Sequence, residues 1–284
     1  MATGSTEFID TTTAANAIPE LWSRATQDQR EDNLLLARLF DRQFEKEMSH
    51  GDILHVLNIS NMAARTKSAN TAITYETATE TLTDITVSTH EYAAIAIETI
   101  AKKQQAIDLI KKYTPKMGHA LAHSVDDVLA GRFDDFSNTV GTLGTPTSYS
   151  DWLRADQYLN DAMAPGRDRF IYIGPAEKKN LGEMQQFVGR DYSKVNDDTA
   201  FKNGDRLGTW LGYPVYMSSN CEGTNAAGHD CGMAHKEAIA LVIQVDMPSY
   251  HFFDIDYLAD KHAVEQLYGV AEMRDDHGVF VKAA

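Results

Sequence analysis

The chain has 284 residues, of which 43% are hydrophobic and 24% are charged, so it is long enough to bury one large core or two modest ones. Its formal net charge of −15 disfavours nucleic-acid binding as the primary activity, because that affinity comes from neutralising phosphates. Two cysteines are too few for a disulfide scaffold, no apolar run approaches the ~20 residues that cross a bilayer, and the N-terminal segment lacks the features of a signal peptide. We therefore expect a protein that is intracellular when made and has no membrane anchor.

The N-terminal region is poor in side chains that form a core. Residues 1–17 are rich in Thr and Ala and have little to bury, which indicates an extended arm. Residues 28–48 place apolar side chains at roughly 3.6-residue spacing and predict an amphipathic helix. The pattern fits two arrangements: the helix packs on the core of its own subunit, or it lies as an arm on a neighbouring subunit.

The next segment has the pattern of an extended hairpin. Residues 51–59 predict a strand that is entered through a Gly-Asp turn. Residues 60–89 are rich in Thr and Ala, and they alternate between apolar and polar side chains at 73–77 and 82–87, which is typical of strands with one covered face. The segment has too few large apolar side chains for a core of its own, and a two-stranded ribbon alone is marginally stable in water. We expect it to be stabilised by contact with another molecule.

A strand and two helices are predicted before residue 131. Residues 91–97 predict a strand, and 98–113 show helical spacing. Thr114 is a plausible N-cap and Pro115 a first helical residue, so a second helix is expected over residues 115–130. Gly131 fits the position just after that helix.

The second half of the chain reads as a series of shorter elements. Residues 138–149 are loop-like in composition and predict a domain boundary. The elements expected after it are a helix capped by Ser148 or Ser150 and ended by residues 164–166, a strand at 169–173, a helix from Pro175 through Phe187, an exposed loop at 190–203, a turn at 204–213, strands at 213–218, 238–245 and 267–274, a turn at 275–278 and a final strand at 279–282. The near-continuous apolar run at 238–245 predicts burial on both faces.

One loop contains side chains that bind zinc in other proteins. Cys221, His229, Cys231 and His235 fall within fifteen residues, but their spacing lacks the two close pairs of common structural zinc sites. Three states are open: free thiols, a disulfide between Cys221 and Cys231 that forms after release into oxidising surroundings, or a metal site.

Other polar clusters favour ordinary structural roles. His119 and His123 have metal-site spacing but lack the glutamate of an HExxH motif, which favours solvated or interface histidines. The acids Asp246, Asp254, Asp256 and Asp260 do not form a calcium-loop motif. For Arg167, Asp168 and Arg169 a lattice ion pair or a solubilising role is favoured over an active site. We assign no catalytic, cofactor-binding or metal residue and no cofactor.

Three stretches in a fixed order carry a family resemblance. They are YLNDAMAPGRDRFIYIGPAEKKNL at 158–181, GDRLGTWLGYPVYMSSN at 204–220 and HKEAIALVIQ at 235–244. The sequence of helix, Pro-Gly turn, apolar strand, Pro-started helix, glycine-rich turn, strand and buried strand resembles the axial domain and closing strands of HK97-fold major capsid proteins of tailed phages. None of these stretches supplies a nucleophile, a base or a phosphate loop, so the resemblance implies that the chain is not an enzyme.

The resemblance implies an α+β HK97 capsid fold with a particular layout. Its parts are an N-terminal arm and helix at 1–50, an extended E-loop hairpin at 51–90, a peripheral domain with a long spine helix at 91–139, an axial domain at 140–234, and closing strands of both domains at 235–284. Lys67 lies in the expected E-loop, but no Asn and Glu partners are identifiable, so no crosslinking chemistry is assigned.

The resemblance also implies function and partners. Such a protein assembles in the host cytoplasm into hexamers and pentamers of an icosahedral head, and it resides in the virion around double-stranded DNA. An acidic wall would repel the genome rather than bind it in a sequence-specific way. A portal protein at one vertex and decoration proteins are further candidate partners. Because little chain precedes Ile18, a separate scaffolding protein is expected. The alternatives are an encapsulin-type compartment, another virion or tail component, and an enzyme with a metal site at residues 221–235.

Overall fold

The computed structural model describes residues 35–59, 62–75, 77, 80–104, 109–184, 206–224 and 227–284. Within these ranges the chain forms five α-helices, which are α1 Leu36–Leu39, α2 Thr99–Gln104, α3 Leu109–Ala130, α4 Tyr149–Asp161 and α5 Pro175–Glu183. Short three-ten turns occur at Gln43–Lys46, Gly131–Phe133, Lys236–Ala238 and Asp275–His277. None of the described helices combines the length and apolarity of a membrane-spanning segment.

Thirteen strands are described, and they make the fold α+β. They are β1 Ile53–Ile59, β2 Glu80–Thr86, β3 Thr89–Glu98, β4 Thr139–Gly141, β5 Arg169–Ile173, β6 Arg206–Trp210, β7 Tyr213–Met217, β8 Gly223–Thr224, β9 Gly228–His235, β10 Ile239–Val245, β11 Ser249–Asp254, β12 Ala259–Glu272 and β13 Gly278–Ala283. They form a two-stranded ribbon, a four-stranded sheet and a seven-stranded sheet.

The four-stranded sheet is built around β12, which has 14 residues. β3 pairs antiparallel with one edge of β12, and β11 and then β10 pair with the other edge. Helix α3 covers one face, where Met117 and Leu121 pack with Val264, Ala93 and Ile95. The alternating burial along β3 follows from this one-sided cover, because successive strand side chains point to opposite faces.

The seven-stranded sheet has the order β4-β13-β9-β5-β7-β6, with β8 added to β9. The β4–β13 and β5–β7 pairs are parallel, and the other pairs are antiparallel. All five residues of β5 are buried, which matches its apolar sequence RFIYI. Helix α4 buries Trp152 and Leu159 against this sheet, and the Trp152 ring meets Trp210 edge-on at 5.4 Å.

One hydrophobic core joins the two larger sheets. It includes Leu129 of α3, Tyr172 of β5 and Leu241 of β10. The Phe133 ring stacks on Tyr172 with 5.6 Å between the centroids, and it fills the space that a side chain on Gly232 would need, since a Cβ there would lie 2.1 Å from the ring. Packing is therefore continuous across residues 138–149, where composition predicts a domain boundary.

The predicted helix over residues 28–48 is wrong where the structure describes it, from residue 35 onward. One helical turn, α1, ends at Leu39, and Phe40 is extended with ψ at 170°. The Asp41 backbone instead joins β10, donating to the Ile239 carbonyl at 3.3 Å and accepting from the Leu241 N–H at 2.9 Å. Sheet hydrogen bonds to a distant strand thus replace helical ones, while residues 28–34 lie outside the described residues.

The predicted helix start at Thr114 and Pro115 is also wrong. α3 runs through both residues from Leu109, and the Thr114 hydroxyl donates to the Ile110 carbonyl at 2.8 Å instead of capping. An interior proline costs roughly 3 kcal/mol, which the burial of the helix face against the sheet offsets. Gly131 is not among the glycines with positive φ, and it begins a three-ten turn instead of closing the helix in the left-handed region.

Most other predicted elements are confirmed with adjusted ends. β1, β3, β5, β7, β10, β13, the start of α5 at Pro175 and the turn after β12 occur as predicted. Ser148 caps α4, since its N–H and hydroxyl both donate to the Asp151 carboxylate at 2.8 and 2.7 Å. α5 ends at Glu183, whereas Phe187 and the loop at 190–203 lie outside the described residues.

β6 was not predicted as a strand, and β12 is longer than predicted. Residues 206–210 of the predicted turn form β6, and the turn itself is Leu211–Gly212, with φ values of 52° and 87°, the two-residue arrangement that joins hairpin strands. β12 begins at Ala259, eight residues before the predicted strand at 267. The early half is polar because one of its faces is open, and it therefore lacks the apolar run that marks a core strand.

Candidate assembly surfaces

β1, β2 and the described residues between them form a projecting hairpin, here called the ribbon. The strands pair antiparallel from Ile53↔Thr86 to Ile59↔Glu80, as the sequence predicts. The expected strand at 73–77 is not formed, since the described residues 73–75 and 77 have no regular structure.

The base of the ribbon is anchored in the subunit. Ile85 is fully buried and packs in a small cluster with Met48, Val87 and Val242. A Cβ on Gly269 of β12 would lie 2.3 Å from the Thr86 carbonyl oxygen, so glycine there lets the two backbones touch. The ribbon therefore starts from a fixed point on the four-stranded sheet.

Beyond its base, the ribbon exposes apolar side chains. Ile53, Leu57 and Ile59 alternate along β1, and Leu82 lies directly opposite Leu57. These four share one face and are exposed, with Ile59 at 69%. The tip continues the pattern with the exposed side chains Met62, Ile73 and Tyr75, the last at 85%. A ribbon with a bare apolar face is stable only when another surface covers that face.

A second bare surface lies on the four-stranded sheet, on the side opposite α3, and is called the open face. Tyr250 and Phe252 of β11 alternate on it, and the register places Tyr92 of β3 on the same side. Tyr92 is 74% exposed and Phe252 68%. The same face includes Ala94, Ala96 and Ala263 together with the charged residues Lys261 and Glu265, which are the register partners of Phe252 and Tyr92. Three exposed aromatic rings and small alanines therefore surround two charged side chains, and the Tyr250 hydroxyl donates to Glu265 at 2.9 Å.

The hairpin between β11 and β12 extends this surface. Ile255, Tyr257 and Leu258 at its tip are all exposed. Ion pairs at the hairpin join Lys261 to Asp254 and Lys102 to Asp260. These lysine hydrogen bonds lower the pKa of both carboxyl groups. Asp254 and Asp260, two of the four acids considered for a divalent ion, are thus ion-paired with lysines.

Arg169 has a different role from the one its sequence context predicts. It is 3% exposed, so neither a lattice ion pair nor a solubilising role applies to it. Its guanidinium donates to the Pro165 carbonyl at 2.9 Å, to Asn160 Oδ1 at 2.8 Å, to the Tyr213 hydroxyl at 2.9 Å and to the Leu159 and Ala164 carbonyls. Arg169 therefore closes the C-terminal end of α4 and ties it to β7.

The two cysteines come together, but His235 does not join them. Cys221 and Cys231 are buried free thiols with 4.0 Å between their sulfur atoms, and the hydrogen bond with Cys221 together with burial raises the pKa of Cys231. Among the described residues, the one group of three side chains close enough to hold a metal is His235, Glu237 and His277. His235 thus lies in a different cluster, so the described residues do not bring the four zinc-binding side chain types of 221–235 into one group, and of the three states left open by the sequence the structure has the free thiols.

Two buried acids were not singled out by the sequence. Asp126 of α3 accepts the N–H groups of Leu35 at 3.1 Å and Ala37 at 3.2 Å, which fixes the first described residues to α3. Burial raises the pKa of Asp126, and these backbone hydrogen bonds oppose the rise. Glu177 of α5 is buried with the Thr147 hydroxyl and the Asn180 amide as partners, and burial raises its pKa. For Asp126 the available signal was an acid among the apolar residues of a helix, whereas the sequence around Glu177 is polar and offered no such signal.

Comparison with known proteins finds the α+β architecture described above in solved structures. No protein-family model and no curated protein matches the sequence. Solved structures do match: a chain of Mycobacterium phage Che8, with a TM-score of 0.80 and 22% identity over 93% of this chain and 96% of that one, and the capsid structure of Cyanophage P-SCSP1u, with a TM-score of 0.76 and 15% identity over 95% and 94%. The mature capsid of bacteriophage PhiM1 matches with a TM-score of 0.70 and 12% identity over 93% and 91%.

These likenesses cover nearly the whole of both chains, and they define the class of fold. The chain has the fold of phage capsid subunits.

Proposed function

We propose that this chain is the major capsid protein of a tailed phage and self-assembles into the icosahedral head that encloses double-stranded DNA. The observation that carries the proposal is the pair of surfaces with exposed apolar side chains, the ribbon face and the open face, on a chain with a capsid-subunit fold. Within the described residues, no other part of the subunit covers either surface. Copies arranged as hexamers and pentamers supply the missing cover.

The HK97 layout gives each element a part in the shell. The ribbon is the E-loop, α3 is the spine helix of the peripheral domain, and the seven-stranded sheet is the centre of the axial domain. α3 has 22 residues, about 33 Å at 1.5 Å per residue, which suits a helix that crosses one domain. Residues 1–50 are the N-terminal arm region, and the boundaries at 90, 139 and 234 follow the order of these elements along the chain.

The charge and the partners follow from this role. The net charge of −15 suits a wall that repels packaged DNA and makes no sequence-specific contact with it. Assembly in the host cytoplasm would use a separate scaffolding protein, a portal protein at one vertex and, on the finished head, decoration proteins.

Electron microscopy of the purified chain tests the proposal. We expect shells when the chain is expressed with its scaffolding partner, and free capsomers or irregular assemblies without it. If the chain alone formed uniform closed shells, the proposed need for a scaffolding protein would be wrong, while the proposed capsid role would still hold. A chain that stays monomeric at high concentration, with the ribbon protected from hydrogen exchange, contradicts the capsid role itself.

The open face offers a sharper test in one side chain. Phe252→Ser should leave the stability of the subunit within about 0.5 kcal/mol, because the ring is already exposed in the monomer. It should raise the concentration needed for assembly about tenfold or more, since burying such a ring contributes roughly 1.5–3 kcal/mol per contact. Light scattering against concentration measures this effect. Phe252→Tyr keeps the ring and is the control, and equal assembly of all three chains would show that the open face is not a contact.

A further inference from the structure

Two neighbouring turns connect the larger sheets. Lys236–Ala238 leads from β9 in the seven-stranded sheet to β10 in the four-stranded sheet, and Asp275–His277 returns from β12 to β13. A histidine belongs to each crossing: His235 ends β9, and His277 ends the second turn. Their rings meet edge-on with 5.7 Å between the centroids. A ligand that bound both histidine side chains would therefore connect the two sheets.

The third member of the cluster is Glu237, on the first turn. One ligand atom from each of the three residues lies within 4.8 Å of the others. The donor atoms of a tetrahedral zinc ion, with bonds of about 2.0–2.1 Å, are roughly 3.4 Å apart. Closing the cluster onto an ion therefore takes shifts of about 1.5 Å or less per pair, within reach of side-chain rotation. The exposed Glu237 side chain leaves a path for the ion to enter.

His277 gives the independent sign of a missing partner. The residue is 5% exposed, and its Nδ1 atom is buried with no hydrogen-bond partner among the residues that the structure describes. A buried polar atom without a partner is energetically unfavourable. The neutral imidazole is the form of histidine that binds metals.

His235 lies beside the carboxylate-bearing residue of the cluster. Its Nδ1 accepts the Glu237 N–H at 3.2 Å, so an ion bound at this nitrogen would replace that hydrogen bond. The opposing charge is Arg274, whose Nε lies 4.0 Å from the Glu237 carboxylate.

We propose that His235, Glu237 and His277 bind a divalent transition-metal cation that clasps the two turns together. Two imidazoles and a carboxylate suit Zn²⁺ better than Mg²⁺ or Ca²⁺, which prefer oxygen ligands. Water would take the fourth position. Such a site goes beyond the capsid role, and it stands or falls separately, because it concerns the inside of one subunit.

Metal titration of the tag-free full chain, after treatment with a chelator, tests the proposal. We expect one Zn²⁺ per chain by elemental analysis and a rise in the thermal midpoint on adding Zn²⁺. Co²⁺ should give visible absorption bands without a thiolate charge-transfer band, because no sulfur takes part. A thiolate band would place the metal at Cys221 and Cys231 and overturn the proposal.

Variants separate the site from adventitious binding. Glu237→Gln changes an exposed side chain and should keep the fold, and it should weaken Zn²⁺ binding at least about tenfold. His277→Ala should weaken binding further. His251→Ala, a histidine outside the cluster, is the matched control and should bind as the unaltered chain does. Absence of stoichiometric metal, or equal binding by the Glu237→Gln chain and the control, overturns the proposal.

Discussion

Shortening the ribbon should abolish shells and leave the subunit folded. Leu57 and Leu82 are register partners, so replacing residues 58–81 with Asn-Gly gives a two-residue hairpin between them. The anchoring residues Ile85, Leu54 and Val56 stay in place. The same expectation holds for deletion of residues 63–83, but that change also removes half of β2.

The expected outcome follows from where the removed residues lie. The described ones are exposed or half-buried, so they contribute little to the stability of an isolated subunit. Their apolar side chains are exposed among the described residues, and the proposed capsid role gives them a neighbouring subunit to contact. We therefore expect a thermal midpoint within a few degrees of that of the unaltered subunit, and an absence of shells by electron microscopy at any concentration.

A single-residue control keeps the test specific. Ser68→Ala changes one exposed hydroxyl near the tip and should assemble normally. Normal shells from the shortened chain would refute the assignment of the ribbon as an assembly element. Loss of the folded subunit instead, seen by circular dichroism, would show that the ribbon stabilises its own chain.

Replacing Arg169 should cause the largest loss of stability from one side chain. Arg169→Ala removes the guanidinium donor of the Ala164 and Pro165 carbonyls, whereas the Leu159 carbonyl keeps the Ala164 N–H at 3.0 Å. It also removes the cation beside Asp156, 3.3 Å from the guanidinium. Breaking one partner of a buried charged network costs about 3–5 kcal/mol.

Urea unfolding of the unassembled subunit measures this loss through tryptophan fluorescence, since Trp152 and Trp210 lie in the adjoining core. Arg169→Lys keeps the charge but not the planar fork of donors. Its free energy of unfolding should therefore lie between that of the unaltered chain and that of Arg169→Ala. If Arg169→Ala lowered the free energy of unfolding by less than about 1 kcal/mol, the prediction would be wrong, and water would be able to replace the guanidinium as the donor.

Local patterns in the sequence predicted the elements whose cause is local. β10 was visible as an apolar run, α5 through Pro175, and α4 through the Ser148 cap, because each signal acts within a few residues. The alternation in β1 and β3 likewise marked strands with one covered face.

The failures have causes that lie far along the chain. The helix predicted around Asp41 is interrupted because β10, about 200 residues later, takes its backbone hydrogen bonds. Pro115 stays inside α3 because the sheet covers that helix. The sequence around Arg169 gives no sign that its side chain is buried, since a run of three charged residues is typical of an exposed segment. The contact between His235 and His277 likewise depends on two turns that only the folded sheets bring together.

The length of β12 has a mechanical consequence. At about 3.3 Å per residue, its 14 residues form a continuous strand of roughly 45 Å that no loop interrupts. One end carries the aromatic hairpin tip, and the other touches the root of the ribbon at Gly269. A force applied at the hairpin tip would therefore be transmitted along β12 to the base of the ribbon, so that contacts made at these two distant places would be mechanically coupled through a single strand.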